Sequence, residues 1–257
     1  MTRLIFGVLL AAFAIGAAAQ VEPDYEREKR WADQILPAIL IGDPVWFKQK
    51  NGHEFLALFT EAKEPRGAVI VAHGRGWNPD FELYGALRVK LAEQGYTTLS
   101  IQLPVLGPGA KLGDYLPTYP DARERFDLAA KFLAEKGYKN VAIVSHSLGA
   151  TMANQYLIWV DSTPVKAWVF IGIINGLEEM FRIKIPVLDV YGSKDWEITQ
   201  VGGPERLKQI RRIKGSGQVV VPNAPHFFEG KEDELVRIVV DFLDRCFHAG
   251  RPDEAPR

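Results

Sequence analysis

Residues 140–151 read Asn-Val-Ala-Ile-Val-Ser-His-Ser-Leu-Gly-Ala-Thr. The apolar run 141–144 has the character of a strand buried on both faces. It passes at once into small residues, then into a helical pattern that continues to about residue 160. A strand that turns sharply into a helix at Ser147 is a nucleophile elbow: the strand delivers the serine to a strained turn, and the helix N-terminus stands behind it. Small residues around the serine let the turn close. Gly149 fills the second of the two usual glycine positions, while Ser145 stands at the first. Serine is small enough to be tolerated there.

The rest of the chain builds the sheet this elbow needs. Two strands over 45–48 and 54–59 flank Asn51-Gly52, a strong hairpin signal. Short apolar strands follow over 68–72, 97–102, 141–144, 165–174, 186–191 and 218–221. Between them lie helical patterns over 81–94 and 121–136, the elbow helix, and 204–212; an amphipathic helix over 232–247 closes the chain. An opening hairpin followed by alternating strands and helices predicts a three-layer α/β fold. Its sheet is mostly parallel, has about eight strands and carries helices on both faces. In such sheets, functional groups collect at the carboxyl ends of the strands.

Composition narrows the function. The chain has 257 residues, 47% hydrophobic and 25% charged, with a formal net charge of −1. These values fit one soluble α/β domain and give no general basic surface for nucleic acid. There is no metal-ligand cluster and no dinucleotide glycine fingerprint, so no cofactor is expected. Cys246, the only cysteine, excludes an intramolecular disulfide and reads as a buried thiol in the last helix. His53 reads as a surface strand residue and His146 as packing.

The N-terminus has Arg3, a nearly unbroken apolar run over 4–14, and Ala17-Ala18-Ala19 before Gln20. That is the pattern of a cleavable secretory signal, too short for an uncleaved anchor. The expected organisation is a signal peptide over 1–19, an N-terminal extension over 20–42, one domain over 43–248 and a polar tail over 249–257. A periplasmic or secreted protein without a stable membrane anchor follows.

Three strand ends carry the groups that acyl transfer needs: Ser147, then Asp195, then His226. A fourth strand end carries His73-Gly74-Arg75-Gly76. With Ser145-His146-Ser147-Leu148-Gly149, Tyr191-Gly192-Ser193-Lys194-Asp195 and Ala224-Pro225-His226-Phe227, these stretches resemble the α/β-hydrolase superfamily over roughly 45–247. The chain is also similar to an exported bacterial α/β-hydrolase family of unestablished function. The order serine, acid, histidine is that of the superfamily.

The resemblance implies a serine hydrolase: Ser147 as nucleophile, His226 as base, and Asp195 orienting the histidine. The main-chain N–H groups of Leu148 and Arg75 would form the oxyanion hole. Glu197 and Asp189 are rivals for the acid. A serine nucleophile argues against haloalkane dehalogenases and epoxide hydrolases, which use aspartate. The short connector over 175–183 leaves room for a minimal lid or none. Trp77, Trp196 and Phe227, with Phe228, adjoin these positions; they either line an apolar substrate pocket or pack beneath loops. The expected substrate is a small-molecule carboxylic ester, thioester or amide. The competing reading is a non-catalytic exported binding or envelope protein on the same fold.

Overall fold

The computed structural model describes residues 21–174 and 176–248. The signal region 1–19 and the tail 249–257 expected above lie outside the described residues. Eight strands form one sheet: β1 (Asp43–Lys48), β2 (Glu54–Thr60), β3 (Gly67–Ala72), β4 (Tyr96–Ile101), β5 (Val141–His146), β6 (Val165–Ile171), β7 (Val187–Gly192) and β8 (Gly217–Val221). Their order is β1-β2-β4-β3-β5-β6-β7-β8. The β1–β2 and β2–β4 pairs are antiparallel and the rest parallel. The expected fold class is therefore observed, hairpin included.

Period-two alternation sorts each central strand between two cores. In β3, Ala68, Ile70 and Ala72 join the cluster that contains Phe126 and Ala129 of α3 (Tyr119–Glu135) and Met152 and Tyr156 of α4 (Leu148–Trp159). Val69 and Val71 point the other way. They join Leu87 and Leu91 of α2 (Leu83–Glu93) and Leu235, Val239 and Leu243 of α6 (Glu232–His248). Both faces are dry, which is why the central strands read as continuous apolar runs. At the sheet edge, β1 alternates between exposed and half-buried positions, and Pro44 is accommodated there.

In the N-terminal extension, α1 (Tyr25–Ile35) ends in a 3-10 turn containing Pro37. One helix differs from the sequence reading: α5 (Glu197–Ile210) starts seven residues before Pro204 and carries that proline in its interior. Gly202-Gly203-Pro204 has the composition of a helix breaker. A β-carbon on Gly203, however, would stand 2.3 Å from the Tyr191 hydroxyl, and one on Gly202 2.7 Å from Arg206. Gly203 thus serves close packing of α5 against β7, and Gly202 leaves room for the Arg206 side chain of the same helix; neither is a chain break.

α1 is tied to the sheet by a buried ionic network. Arg125 of α3 donates to Glu28 of α1 at 2.9 Å, to Gln49 at 2.8 Å and to the Gln102 carbonyl at 3.0 Å. His53 lies 2.9 Å from the same Glu28 oxygen and stacks on Tyr25 at 3.7 Å. His53 thus docks α1 instead of simply facing solvent from a strand. The sequence reading missed this because the partners are dozens of residues away.

Candidate active site

The elbow is present in backbone geometry. Ser147, between β5 and α4, has φ 53° and ψ −122°. A non-glycine residue at positive φ costs on the order of 1–3 kcal/mol and persists only when its surroundings hold it. Here the Ser147 N–H donates to the Ile171 carbonyl at 2.8 Å, and the Ser147 carbonyl accepts from Ala150 at 3.0 Å. α4 starts at once with Leu148. A β-carbon on Gly149 would stand 2.2 Å from the His73 carbonyl oxygen, so this position has no space for a side chain. Ser145 is different. It belongs to β5, and its hydroxyl accepts from the Trp168 indole at 2.8 Å, inside the sheet layer.

The fold brings the three strand-end residues together. His226 Nδ1 lies 2.6 Å from Asp195 Oδ1, and His226 Nε2 lies 3.2 Å from Ser147 Oγ. A carboxylate only accepts, so Nδ1 carries the proton and Nε2 faces the serine as acceptor. All three side chains are buried. Asp195 Oδ1 also accepts from the Trp196 N–H at 2.6 Å, which sets the carboxylate plane. Gly172, just past β6, has φ 56°. A β-carbon there would stand 3.1 Å from Asp195 Oδ2 and 3.2 Å from the His226 ring, so glycine leaves room for the pair. Sequence reasoning did not single out Gly172, although a glycine inside the strand expected over 165–174 was a signal for it.

The rival acids are held elsewhere. Asp189 accepts from Arg206 Nε at 2.8 Å and from Gln218 at 2.7 Å. Burial raises its carboxyl pKa while the adjacent Arg206 pulls it down. Glu197 is exposed in the first turn of α5.

The loop after β3 lies against the elbow: a β-carbon on Gly74 would stand 3.2 Å from the Ser147 β-carbon. His73 organises this loop. Its Nε2 accepts from the Leu103 N–H at 2.9 Å and lies 2.9 Å from the Gln102 amide nitrogen, so Nδ1 carries the proton and donates to the Gly74 carbonyl at 2.8 Å. Burial lowers the His73 pKa to about 4. In a trans peptide the N–H points opposite to the preceding C=O. Holding the Gly74 carbonyl therefore aims the Arg75 N–H. Neither Arg75 nor Leu148 uses its main-chain N–H in a hydrogen bond among the described residues. The Arg75 side chain turns outward and donates to the Ala110 carbonyl at 3.3 Å.

The aromatic residues divide. Trp196 is 47% exposed and stacks flat on the His226 ring, with centroids 3.7 Å apart. Trp77 stacks on Phe81 at 3.6 Å and meets Phe227 edge-on at 6.0 Å. Phe227 in turn lies 5.2 Å from the His226 ring. Phe228 is fully buried in the α2–α6 core, against which Trp77 and Phe81 also pack. Among the described residues between β6 and β7 the only helical element is a short 3-10 turn, Met180–Arg182, so no helical lid is inserted there.

A serine hydroxyl beside a correctly oriented imidazole, with two free amides nearby, can attack a carbonyl and hold the resulting oxyanion. Comparison with known proteins identifies the family and the fold. Residues 69–253 match the model of the alpha/beta hydrolase family. A rat (Rattus norvegicus) protein provisionally named protein-lysine deacylase ABHD14B is 27% identical over 197 residues, covering 72% of this chain and 89% of its own. A Xanthomonas campestris α/β serine hydrolase described as lacking a lid superposes with TM-score 0.63 at 15% identity, over 84% of this chain and 98% of that one. A Pyrococcus furiosus esterase gives TM-score 0.62 at 16% identity, over 80% and 93%. With the sheet order, the elbow and the family match in agreement, the chain belongs to the α/β-hydrolase family.

Proposed function

We propose that this chain is a serine hydrolase that cleaves a carboxylic ester, or a thioester or amide, through an acyl-enzyme on Ser147. The observation that carries the reading is the continuous path Ser147 Oγ–His226–Asp195 at 3.2 and 2.6 Å. At 3.2 Å the serine hydroxyl is within hydrogen-bond reach of the base.

The steps need only groups of the chain and water. Ser147 Oγ attacks the carbonyl carbon as its proton passes to His226 Nε2. Asp195 stabilises the imidazolium and keeps its orientation. The Leu148 and Arg75 amides receive the oxyanion; one such donor is worth roughly 3–4 kcal/mol in the transition state. The tetrahedral intermediate collapses, the carbonyl–leaving-group bond breaks, and His226 returns its proton to the leaving group. Water then repeats the sequence: His226 takes its proton, hydroxide adds to the acyl carbon, and Ser147 leaves reprotonated.

Trp77, Phe227 and Trp196 form the apolar wall on which an acyl or aryl group would rest. The named activity of the rat relative adds N-acyl-lysine amides to the candidate substrates. The sequence of residues 1–20 supports export with cleavage before Gln20 and release from the membrane. Turnover of p-nitrophenyl esters of graded chain length, beside acyl-thioesters and acyl-lysine peptides, tests the reaction class. A stoichiometric burst of nitrophenol is expected. Turnover of none of these substrates by folded protein contradicts the reading and favours a non-catalytic binding role.

A further inference from the structure

A second hydrogen-bonded chain runs behind the proposed catalytic residues. The Gly74 N–H donates to the Tyr84 hydroxyl at 2.9 Å. The Tyr84 hydroxyl lies 2.9 Å from His146 Nδ1, and His146 Nε2 lies 2.9 Å from the main-chain carbonyl of His226. The end groups force its direction. An amide N–H can only donate, and a carbonyl can only accept. His146 Nε2 therefore carries the proton, Nδ1 accepts, and the tyrosine hydroxyl donates to it. Both side chains are fully buried, and burial keeps His146 neutral, first by desolvation and then through its proximity to His226.

This chain joins four separate segments: the loop whose next residue is Arg75, the first turn of α2 with Tyr84, the end of β5 just before Ser147, and the loop after β8 that carries His226. It also lies directly under the nucleophile. A β-carbon on Gly74 would stand 3.0 Å from the Tyr84 hydroxyl, 3.2 Å from His146 Nδ1 and 3.2 Å from the Ser147 β-carbon. Packing at Gly74 and hydrogen bonding at both ends thus specify the same arrangement independently.

We propose that Tyr84 and His146 are positioning residues, a neutral tie that fixes the distance between the oxyanion amides and the base. The role rests on the serine-hydrolase reading. The tie makes no hydrogen bond to the reacting atoms, although the His146 ring packs against the His226 ring with centroids 4.6 Å apart; it acts by holding Gly74 and the His226 main chain in place. His146 is then more than the packing residue its sequence position suggested.

The test has two arms. In ¹⁵N-histidine NMR of the whole protein near neutral pH, His146 should show the neutral Nε2–H tautomer, and Tyr84→Phe should disturb that signal. The Nδ1–H tautomer or an imidazolium in the wild type overturns the tie. In ester kinetics normalised to titrated serine sites, Tyr84→Phe and His146→Leu should lower kcat on the order of 10- to 100-fold with KM nearly unchanged. His146→Gln, which keeps one acceptor and one donor, should recover part of the loss. Unchanged kcat, or a loss that falls on KM alone, overturns the positioning role. A wild type that neither turns over esters nor labels, yet shows the Nε2–H tautomer, removes the serine-hydrolase reading and the positioning role but leaves the tie intact.

Discussion

The α-hydrogen of Gly149 faces the His73 carbonyl so closely that a β-carbon there would stand 2.2 Å from that oxygen. Helix α4 therefore presses on the loop that carries Arg75, and the second elbow position accepts only glycine. Gly149→Ala must push apart two backbone segments. We expect it to lower Tm and abolish turnover, since overpacking of this kind costs about 1–3 kcal/mol and here displaces the oxyanion loop. Thermal unfolding and ester kinetics check this.

The first elbow position has no such constraint. Ser145 lies in β5 with its hydroxyl spent on the Trp168 indole. Ser145→Ala should keep turnover and lose about 1–3 kcal/mol of stability, the cost of leaving a buried donor unpaired. Urea unfolding measures the difference. A Ser145→Ala protein as stable as wild type but inactive would assign this serine to the chemistry.

This contrast shows what the sequence could and could not reveal. The buried apolar run of β3, the Asn51-Gly52 hairpin and the elbow turn at Ser147 were legible because each is local in the chain, and the order Ser147–Asp195–His226 was legible because each member stands at the end of an expected strand. Gly172, the Tyr84–His146 tie and the Glu28–Arg125 pair were not, because their meaning lies in partners 23 to 97 residues away. α5 was misplaced for a related reason: Gly202-Gly203-Pro204 looks like a break until Tyr191 and Arg206 are seen against it.

Stability should fall on mild acidification, with a definite sign. His73 is neutral in the fold with its pKa lowered to about 4, while an unfolded histidine titrates near 6.5. Between these values the unfolded state binds the extra proton, so stability is complete above about pH 6.5 and drains away as pH falls toward 4. The loss from His73 is about 3 kcal/mol, and His146, also depressed by burial, adds in the same direction. The main cause is desolvation by burial; in addition, a protonated Nε2 would face the Leu103 N–H and the Gln102 amide, both donors. Urea unfolding at pH 7.5 and pH 5, with His73→Gln flattening the difference, tests it.

The buried pair Arg125–Glu28 should behave asymmetrically. Arg125→Met leaves the Glu28 carboxylate buried without its main partner, at a cost of about 3–5 kcal/mol; pairing it with Glu28→Gln should recover much of the loss. Denaturant titration of the single and double variants gives the coupling directly.

The assignment of the acid predicts a hierarchy. Asp195→Asn should reduce kcat by several orders of magnitude through loss of the histidine orientation. Glu197→Gln, exposed in α5, should change it little. Asp189→Asn should reduce stability by disturbing Arg206 and Gln218 while leaving a measurable kcat in the folded fraction. Steady-state kinetics at saturating ester distinguish the three.

The most direct measurement of the central claim is mass spectrometry of the folded protein after exposure to a fluorophosphonate. One adduct per chain, located on Ser147, absent in Ser147→Ala and retained in Ser145→Ala, is the predicted result. An unmodified Ser147 in folded wild-type protein, or an adduct that persists in Ser147→Ala, would contradict it.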